Sequence, residues 1–363
     1  MSDRPVPRGG ISEIRGHMVA TAKVASTDGI FIASNESVYG PGNSAREAII
    51  TSAGGVERYP EDGTARLANA IGARFSIDPG MICCGFGSDD LLARLARAYL
   101  TPGDELIHTL HGYPKIPNYA YANDAHPVAA NDKDFTADVD AILERVTERT
   151  RIIMLANPDN PAGTYLSGAE VRRLHANLNG RVLLVLDSAY AEYADAADYE
   201  DPTKLVESSN NVVMTRTFSK VFGLAGLRVG WVYGPDEIID TLARIGITFP
   251  VSVAALAACE AALADHAHFD MVVRENSRIR EMFSRELSEL GVKVIPSQTN
   301  FVLAQFQDPQ RATDAHTALE AEGIFARRLV GGDFSKCIRF TMGADTEMNQ
   351  CISALAKWLG TRD

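Results

Sequence analysis

Six short runs along the chain are rich in β-formers, and most are continuously apolar: MICCGFG (81–87), ELIHTL (105–110), RIIMLANP (151–158), VLLVLDSAY (182–190), NVVMTRTFS (211–219) and VGWVYG (229–234). Strands covered on both faces read this way, whereas half-exposed strands alternate. Between them lie helical patterns, SDDLLARLARAYL, SGAEVRRLHANL and PDEIIDTLARIG. The second opens on Ser167 with Glu170 three residues on, the spacing of a capping box. This alternation predicts an α/β fold: a large domain with a mostly parallel sheet between layers of helix. Past about 250 the texture changes. A helical stretch over roughly 252–290 precedes KVIPSQTNFVLAQF, a helix near 310–322, two short strands (IFARRLV and KCIRFTM) and a final helix, which reads as a smaller α+β domain. The expected division is an N-terminal arm, 1–30, packed with the small domain, a large domain, 31–247, and a small domain, 248–363. Single cores stop growing at roughly 250–300 residues, so two domains suit the length.

Composition narrows the partners. The formal net charge is -12, which argues against a nucleic acid or an anionic membrane, since both need basic surface. No run approaches the roughly 20 apolar residues of a membrane span. The five cysteines, Cys83, Cys84, Cys259, Cys337 and Cys351, form no CxxC pair and have no metal-like His spacing. They fit reduced, buried thiols, and with no apolar signal run near the start the expected compartment is the cytoplasm.

Ligands of open parallel sheets bind outside the carboxyl ends of the strands. There the first run passes through Gly85-Phe86-Gly87-Ser88-Asp89 into a helix, and small residues before a helix N-terminus suit an anion. The fifth run ends at Lys220, between hydroxyl-bearing Thr217 and Ser219 and a Gly-rich stretch that leads to Arg228. A lysine amine forms Schiff bases with carbonyl cofactors when it is desolvated or near other cations. Hydroxyls and an arginine beside it would suit a phosphate. Asp187 follows five apolar residues; burying an anion there requires a cationic partner, such as a protonated pyridine nitrogen. Tyr190, three residues on, reaches the same region, and Asn160 sits in the turn-like NPDNPAG. The chain has no GxGxxG turn and no GxxxxGK[ST], so a nucleotide-binding reading lacks its fingerprint.

Together these segments resemble fold-type-I pyridoxal-phosphate (PLP) aminotransferases, and among them the histidinol-phosphate aminotransferase family. The matching stretches are SNESVYGPG (34–42), RYPEDGTARL (58–67), GFGSDDLL (85–92), the HGYPKIPNY region (111–119), NPDNPAG, DSAYAEY, RTFSKVFGLAGLRVGW and CIRFTMG (337–343), in family order over nearly the whole chain. The resemblance implies a homodimer with shared active sites, acting on a small amino donor and a 2-oxo acid. Lys220 would carry the cofactor, Asp187 would pair with its ring nitrogen, Asn160 and Tyr190 would bond its ring oxygen, and Tyr113 would stack on its face. Gly87, Ser88, Asp89, Thr217, Ser219 and Arg228 would hold the phosphate, and Tyr59 would reach the neighbouring subunit's cofactor. Asn35 would line the substrate side, Arg339 would bind the α-carboxylate, and Arg327, next to Arg328, would meet a distal phosphate. The chain departs from the family's NENPYGP at Ser37-Val38, from DEAY at Ser188 and from NPNNP at Asp159. Related enzymes of this fold act on aromatic amino acids or decarboxylate phosphorylated ones, and these are the alternative readings of the same motifs.

Overall fold

A computed structural model describes residues 5–14 and 29–360. In chain order its strands are β1 (Ile30–Ile32), β2 (Ile82–Gly85), β3 (Glu105–Thr109), β4 (His126–Ala130), β5 (Asp132–Lys133), β6 (Thr136–Ala137), β7 (Thr150–Ala156), β8 (Leu183–Asp187), β9 (Val212–Thr217), β10 (Gly230–Tyr233), β11 (Lys293–Ile295), β12 (Phe301–Gln305), β13 (Ile324–Arg328) and β14 (Cys337–Thr341). Seven form a larger sheet in the order β2-β10-β9-β8-β7-β3-β4, and five form a smaller one in the order β1-β13-β14-β12-β11; β5 and β6 make a separate hairpin.

The continuous apolar runs are explained by two covered faces. Along β7, Ile153 and Leu155 join one apolar cluster while Ile152 and Met154 join another on the opposite face. β8 divides in the same way, with Leu184 and Leu186 on one side and Leu183 and Val185 on the other. Each such side chain contributes about 1.5–3 kcal/mol by leaving water. The neighbours β3, β4, β7, β8 and β9 are parallel; β10 runs antiparallel to both β9 and β2.

The structure departs from the sequence reading at four places. Strand β4 was not among the expected strands; Pro127 within it is tolerated because β4 is the sheet edge. The helical stretch of 252–290 is two helices, Val253–Ala264 and His266–Glu289, separated at Asp265, whose side chain accepts from His268 N–H to start the second. β1, expected to lie at the start of the large domain, pairs with β13 and extends the smaller sheet. Most of the expected arm lies outside the described residues. Its 5–14 portion meets the larger sheet's side rather than the small domain: Gly10 N–H donates to Asp124 at 2.8 Å, and Arg8 pairs with the same carboxylate. No helix among the described residues is long and apolar enough to cross a membrane.

One ion pair ties together the segments that leave β8 and β9. Arg216, on β9, donates to Glu192 at 2.9 Å, and both side chains are about 4% exposed; Asp201 takes the other end of the guanidinium. Burial pushes the Glu192 carboxyl up, and Arg216 works against that shift. Arg216→Leu would strand this carboxylate. The expected cost is about 3–5 kcal/mol of unfolding free energy, measured by urea denaturation. A change below about 1 kcal/mol would place the pair with solvent-screened surface bridges instead.

Candidate active site

Asp187 is the last residue of β8, Thr217 the last of β9 and Ala156 the last of β7. Parallel pairing therefore brings all three to one end of the larger sheet, where a cavity of about 250 Å³ opens. Its walls include Lys220, Asp187, Tyr190, Asn160, Tyr113, Ser88, Asp89, Thr217, Ser219 and Arg228. Of the residues singled out from sequence, these ten converge in one place.

Asp187 is 7% exposed. Its carboxylate accepts from Thr215 Oγ1 at 2.9 Å, across the β8–β9 register, and from the Ala189 N–H. Burial outweighs these bonds and pushes its pKa up to about 6. Lys220 Nζ faces the same cavity, 3.4 Å from the Ser34 carbonyl oxygen and 5.6 Å from the centre of the Tyr190 ring. Burial, followed by the nearby Arg339 charge, brings the Lys220 pKa down to about 8. An acid and a base are thus both held partly desolvated.

At the other end of the cavity Gly87, at φ 82°, precedes the helix Ser88–Tyr99. A Cβ there would lie 2.6 Å from Arg228 Nη2, so only glycine lets the guanidinium approach this helix end. Arg228 itself has a left-handed backbone (φ 56°) and donates to Ser219 Oγ and to the Ala225 carbonyl, both at 3.0 Å. Thr217 Oγ1 accepts the Ser219 N–H at 3.0 Å. Free N–H groups at a helix start, hydroxyls and a guanidinium make an anion cradle.

Asp89, expected at the helix start to help hold a phosphate, also has a task for its side chain. Its carboxylate accepts from Tyr119 at 2.8 Å, Tyr113 at 3.2 Å and Lys115 at 2.9 Å. Burial acts to raise its pKa, but Lys115 and the two hydroxyls prevail and hold it below the usual carboxylate range. The carboxylate is thereby used in fixing Tyr113, and only the backbone N–H of Asp89 remains for the cradle.

Asn35 and Arg339 stand behind the cavity wall. Asn35 Nδ2 donates to the Tyr190 hydroxyl at 3.0 Å, and Arg339 Nη1 donates to Asn160 Oδ1 at 2.5 Å. Arg339 Nη2 bonds the Ala33 carbonyl oxygen at 2.8 Å, and its buried Nε has no partner. Burial brings its pKa down to about 10, still protonated at neutral pH. Arg327 does not line the cavity, but it lies directly opposite Arg339 on the paired strand, so both point to one face of the smaller sheet. Arg328 pairs with Ile338 and points to the other face. Tyr59 is the outlier: it is 76% exposed, stacks on Phe249 at 4.5 Å, and does not line this cavity.

Sequence reasoning missed Thr215, Lys115, Tyr119 and Glu36. Thr215 becomes visible only through the β8–β9 register. Lys115 and Tyr119 stood inside the HGYPKIPNY region, and Glu36 stood beside Asn35, but nothing local assigned them work.

The donor set fits pyridoxal 5'-phosphate: a desolvated amine for an aldehyde, a buried carboxyl without an ion pair among the described residues for a pyridine nitrogen, and an anion cradle for a phosphate. Comparison with known proteins agrees. A family model for class I and II aminotransferases matches residues 27–356. The histidinol-phosphate aminotransferase of Rhodospirillum centenum is 44% identical over 357 residues, covering 98% of this chain and 99% of that one. The enzyme of the same name from Rhodospirillum rubrum is 43% identical, covering 98% and 97%. The crystal structure of histidinol-phosphate aminotransferase from Sinorhizobium meliloti, in complex with pyridoxal-5'-phosphate, superposes with a TM-score of 0.87 at 30% identity, covering 92% of each chain.

The raised pKa of Asp187 carries a stability cost. Its folded value, about 6, exceeds the unfolded 3.8. The ligand-free fold therefore loses stability as pH rises between these values, and the full cost, about 3 kcal/mol, is present at pH 7. Asp187→Asn removes the charge and keeps the shape. Ligand-free Asp187→Asn is expected to be more stable than the parent at pH 7, by up to that amount, and equal to it below about pH 4. Denaturation curves at the two pH values check this; an equal or less stable variant at pH 7 contradicts the desolvated carboxylate.

Proposed function

The chain belongs to the class I and II aminotransferase family, within its histidinol-phosphate aminotransferase branch, and on that premise we propose that it moves an amino group from histidinol phosphate to 2-oxoglutarate with pyridoxal 5'-phosphate as cofactor. The observation that carries this reading is the cavity at the ends of β8 and β9, where the Lys220 amine and the Asp187 carboxyl face one space beside an anion cradle. Bound there, pyridoxal phosphate supplies an aldehyde for amine exchange and a cationic ring that accepts electrons from the donor's α-carbon.

The chain's own residues do the rest. Lys220, with a pKa near 8, is partly neutral at physiological pH and moves the proton from the donor's α-carbon as general base and acid. Asp187 keeps a proton at the ring nitrogen, and Thr215 keeps Asp187 in place. Tyr190, its pKa pushed up to about 12 by burial, stays protonated. With its oxygen already accepting from Asn35, its O–H is left to donate to the ring oxygen. Asn160 is oriented likewise: Arg339 occupies its carbonyl oxygen and leaves its amide N–H groups to donate. Tyr113, held by Asp89, covers a ring face. Gly87, Ser88, Asp89 N–H, Thr217, Ser219 and Arg228 hold the cofactor phosphate.

Arg339 and Arg327, on one sheet face, take the anionic groups that alternate in a ping-pong cycle: the acceptor's carboxylate and the donor's phosphate. The exposed Tyr59 and its Phe249 neighbour suit an interface in a homodimer, with Tyr59 reaching the other subunit's cofactor. The larger sheet and the smaller one, with β1 in the smaller, serve as the cores of two domains. Five free thiols suit a reducing cytoplasm.

Lys220→Ala is expected to abolish turnover and the visible absorbance of the lysine-bound cofactor; a variant that still turns over removes the amine from the mechanism. Arg327→Ala is expected to lower kcat/KM for histidinol phosphate by on the order of a hundredfold, the worth of a charge-assisted pair, and to leave unphosphorylated amino donors unchanged. Equal losses for both donors would point instead to an aromatic or general amino-acid aminotransferase. Release of CO2 instead of an oxo product would point to a decarboxylase, although histidinol phosphate has no carboxylate to lose.

A further inference from the structure

Resting on the histidinol phosphate reading above, we propose that Glu36 selects the donor by its ring: its carboxylate, on the cavity wall, accepts from the imidazole N–H and favours the ring's protonated form, while the arginines take the anionic groups.

The charged residues lining the cavity are Asp89, Asp187, Lys220, Arg228 and Glu36. Four of them have partners or tasks. Asp89 is held by Lys115 and two tyrosines, and Arg228 by Ser219 and Ala225. Asp187 is tied to Thr215, and Lys220 to the Ser34 carbonyl. Glu36 is exposed, and its carboxylate makes no hydrogen bond or ion pair to any described residue.

Its placement is nonetheless enforced. Asn35 adopts a left-handed backbone, φ 57°, which side-chain-bearing residues rarely take without support. That support comes from four hydrogen bonds. The Asn35 N–H donates to Thr341 Oγ1 at 2.9 Å, and its Nδ2 donates to Tyr190 at 3.0 Å. Its Oδ1 accepts from Thr341 at 3.1 Å, and its carbonyl oxygen accepts from Asn300 Nδ2 at 3.1 Å. The turn sets Ser34 against Lys220 and the next side chain, Glu36, on the cavity wall. The Glu36 charge acts on Lys220, raising its proton affinity against the effect of burial. A carboxylate without a partner among the described residues, held on a substrate cavity by a pinned turn, suits a ligand group that brings an N–H or a positive charge. Carboxylate to imidazolium is a charge-assisted hydrogen bond, and histidinol phosphate brings an imidazole that the acceptor lacks.

The two half-reactions should therefore respond in opposite directions. 2-Oxoglutarate carries two carboxylates and no cation, so Glu36 repels it, and discrimination between partners arises from attraction and repulsion together. A carboxylate that served only the loop, or only tuned Lys220, would move both half-reactions the same way.

The test compares the parent holoenzyme with Glu36→Gln, using histidinol phosphate, its analogue with a phenyl ring in place of imidazole, and 2-oxoglutarate. The variant is expected to raise KM for histidinol phosphate by about tenfold, the worth of roughly one partly exposed charged hydrogen bond, with kcat little changed. KM for the phenyl analogue should stay within about twofold, and KM for 2-oxoglutarate should fall. Equal rises for both donors, or parallel changes in both half-reactions, overturn the role of Glu36 alone. A parent enzyme that does not use histidinol phosphate overturns the substrate reading, and this inference with it.

Discussion

The structure depends on keeping an acid and a base partly desolvated around one cavity without pairing them to each other. Asp187 and Lys220 are each driven toward neutrality by burial, the acid to about 6 and the amine to about 8. Direct contact would relieve both and leave neither available. The fold instead presents them from the ends of two adjacent parallel strands, with a third residue fixing each: Thr215 on Asp187, and the Ser34 carbonyl on Lys220. The unsatisfied field between them is what a zwitterionic cofactor would complete.

Holding that arrangement falls to a second set of groups, most of them outside the cavity lining. The buried Glu192–Arg216 pair joins the segment after Asp187 and Tyr190 to the strand that leads to Lys220. Asp89, placed at a helix start where an anion-binding role was expected of it, anchors Tyr113 and Tyr119 through its carboxylate. Asn35 and Arg339, from the smaller sheet's side, turn Tyr190 and Asn160 so that their donor groups face inward. Tyr113, Tyr190 and Asn160 are thus each oriented by a second side chain that has its own partners, which suits a site where small misplacements are costly.

Charge around the cavity follows a different logic. The chain is acidic overall, yet Arg327 and Arg339 stand side by side on one sheet face, and burial lowers the proton affinity of Arg339 without discharging it. Two guanidinium groups so placed are tolerable where anions arrive in each half of a reaction cycle. Glu36 is the counterweight, a carboxylate on the cavity wall that makes no hydrogen bond or ion pair to a described residue.

The chain's local patterns determined the fold class and most of the site. Unbroken apolar runs marked strands buried on two faces, and the polar residues at their carboxyl ends, Asp187, Thr217 and Lys220, marked where a ligand would sit, because both signals arise within a few residues of each other. What is decided by pairing between distant segments was not legible. Register alone put Thr215 on Asp187 and set Arg327, not its neighbour Arg328, on the same face as Arg339, since a shift of one residue turns a side chain to the other face of a sheet. The edge position of β4 excused Pro127, and β10 showed its antiparallel sense only in the assembled sheet. The carboxylate of Asp89 met its tyrosines, and Glu36 reached the cavity, through contacts between segments far apart in sequence that only folding brings together.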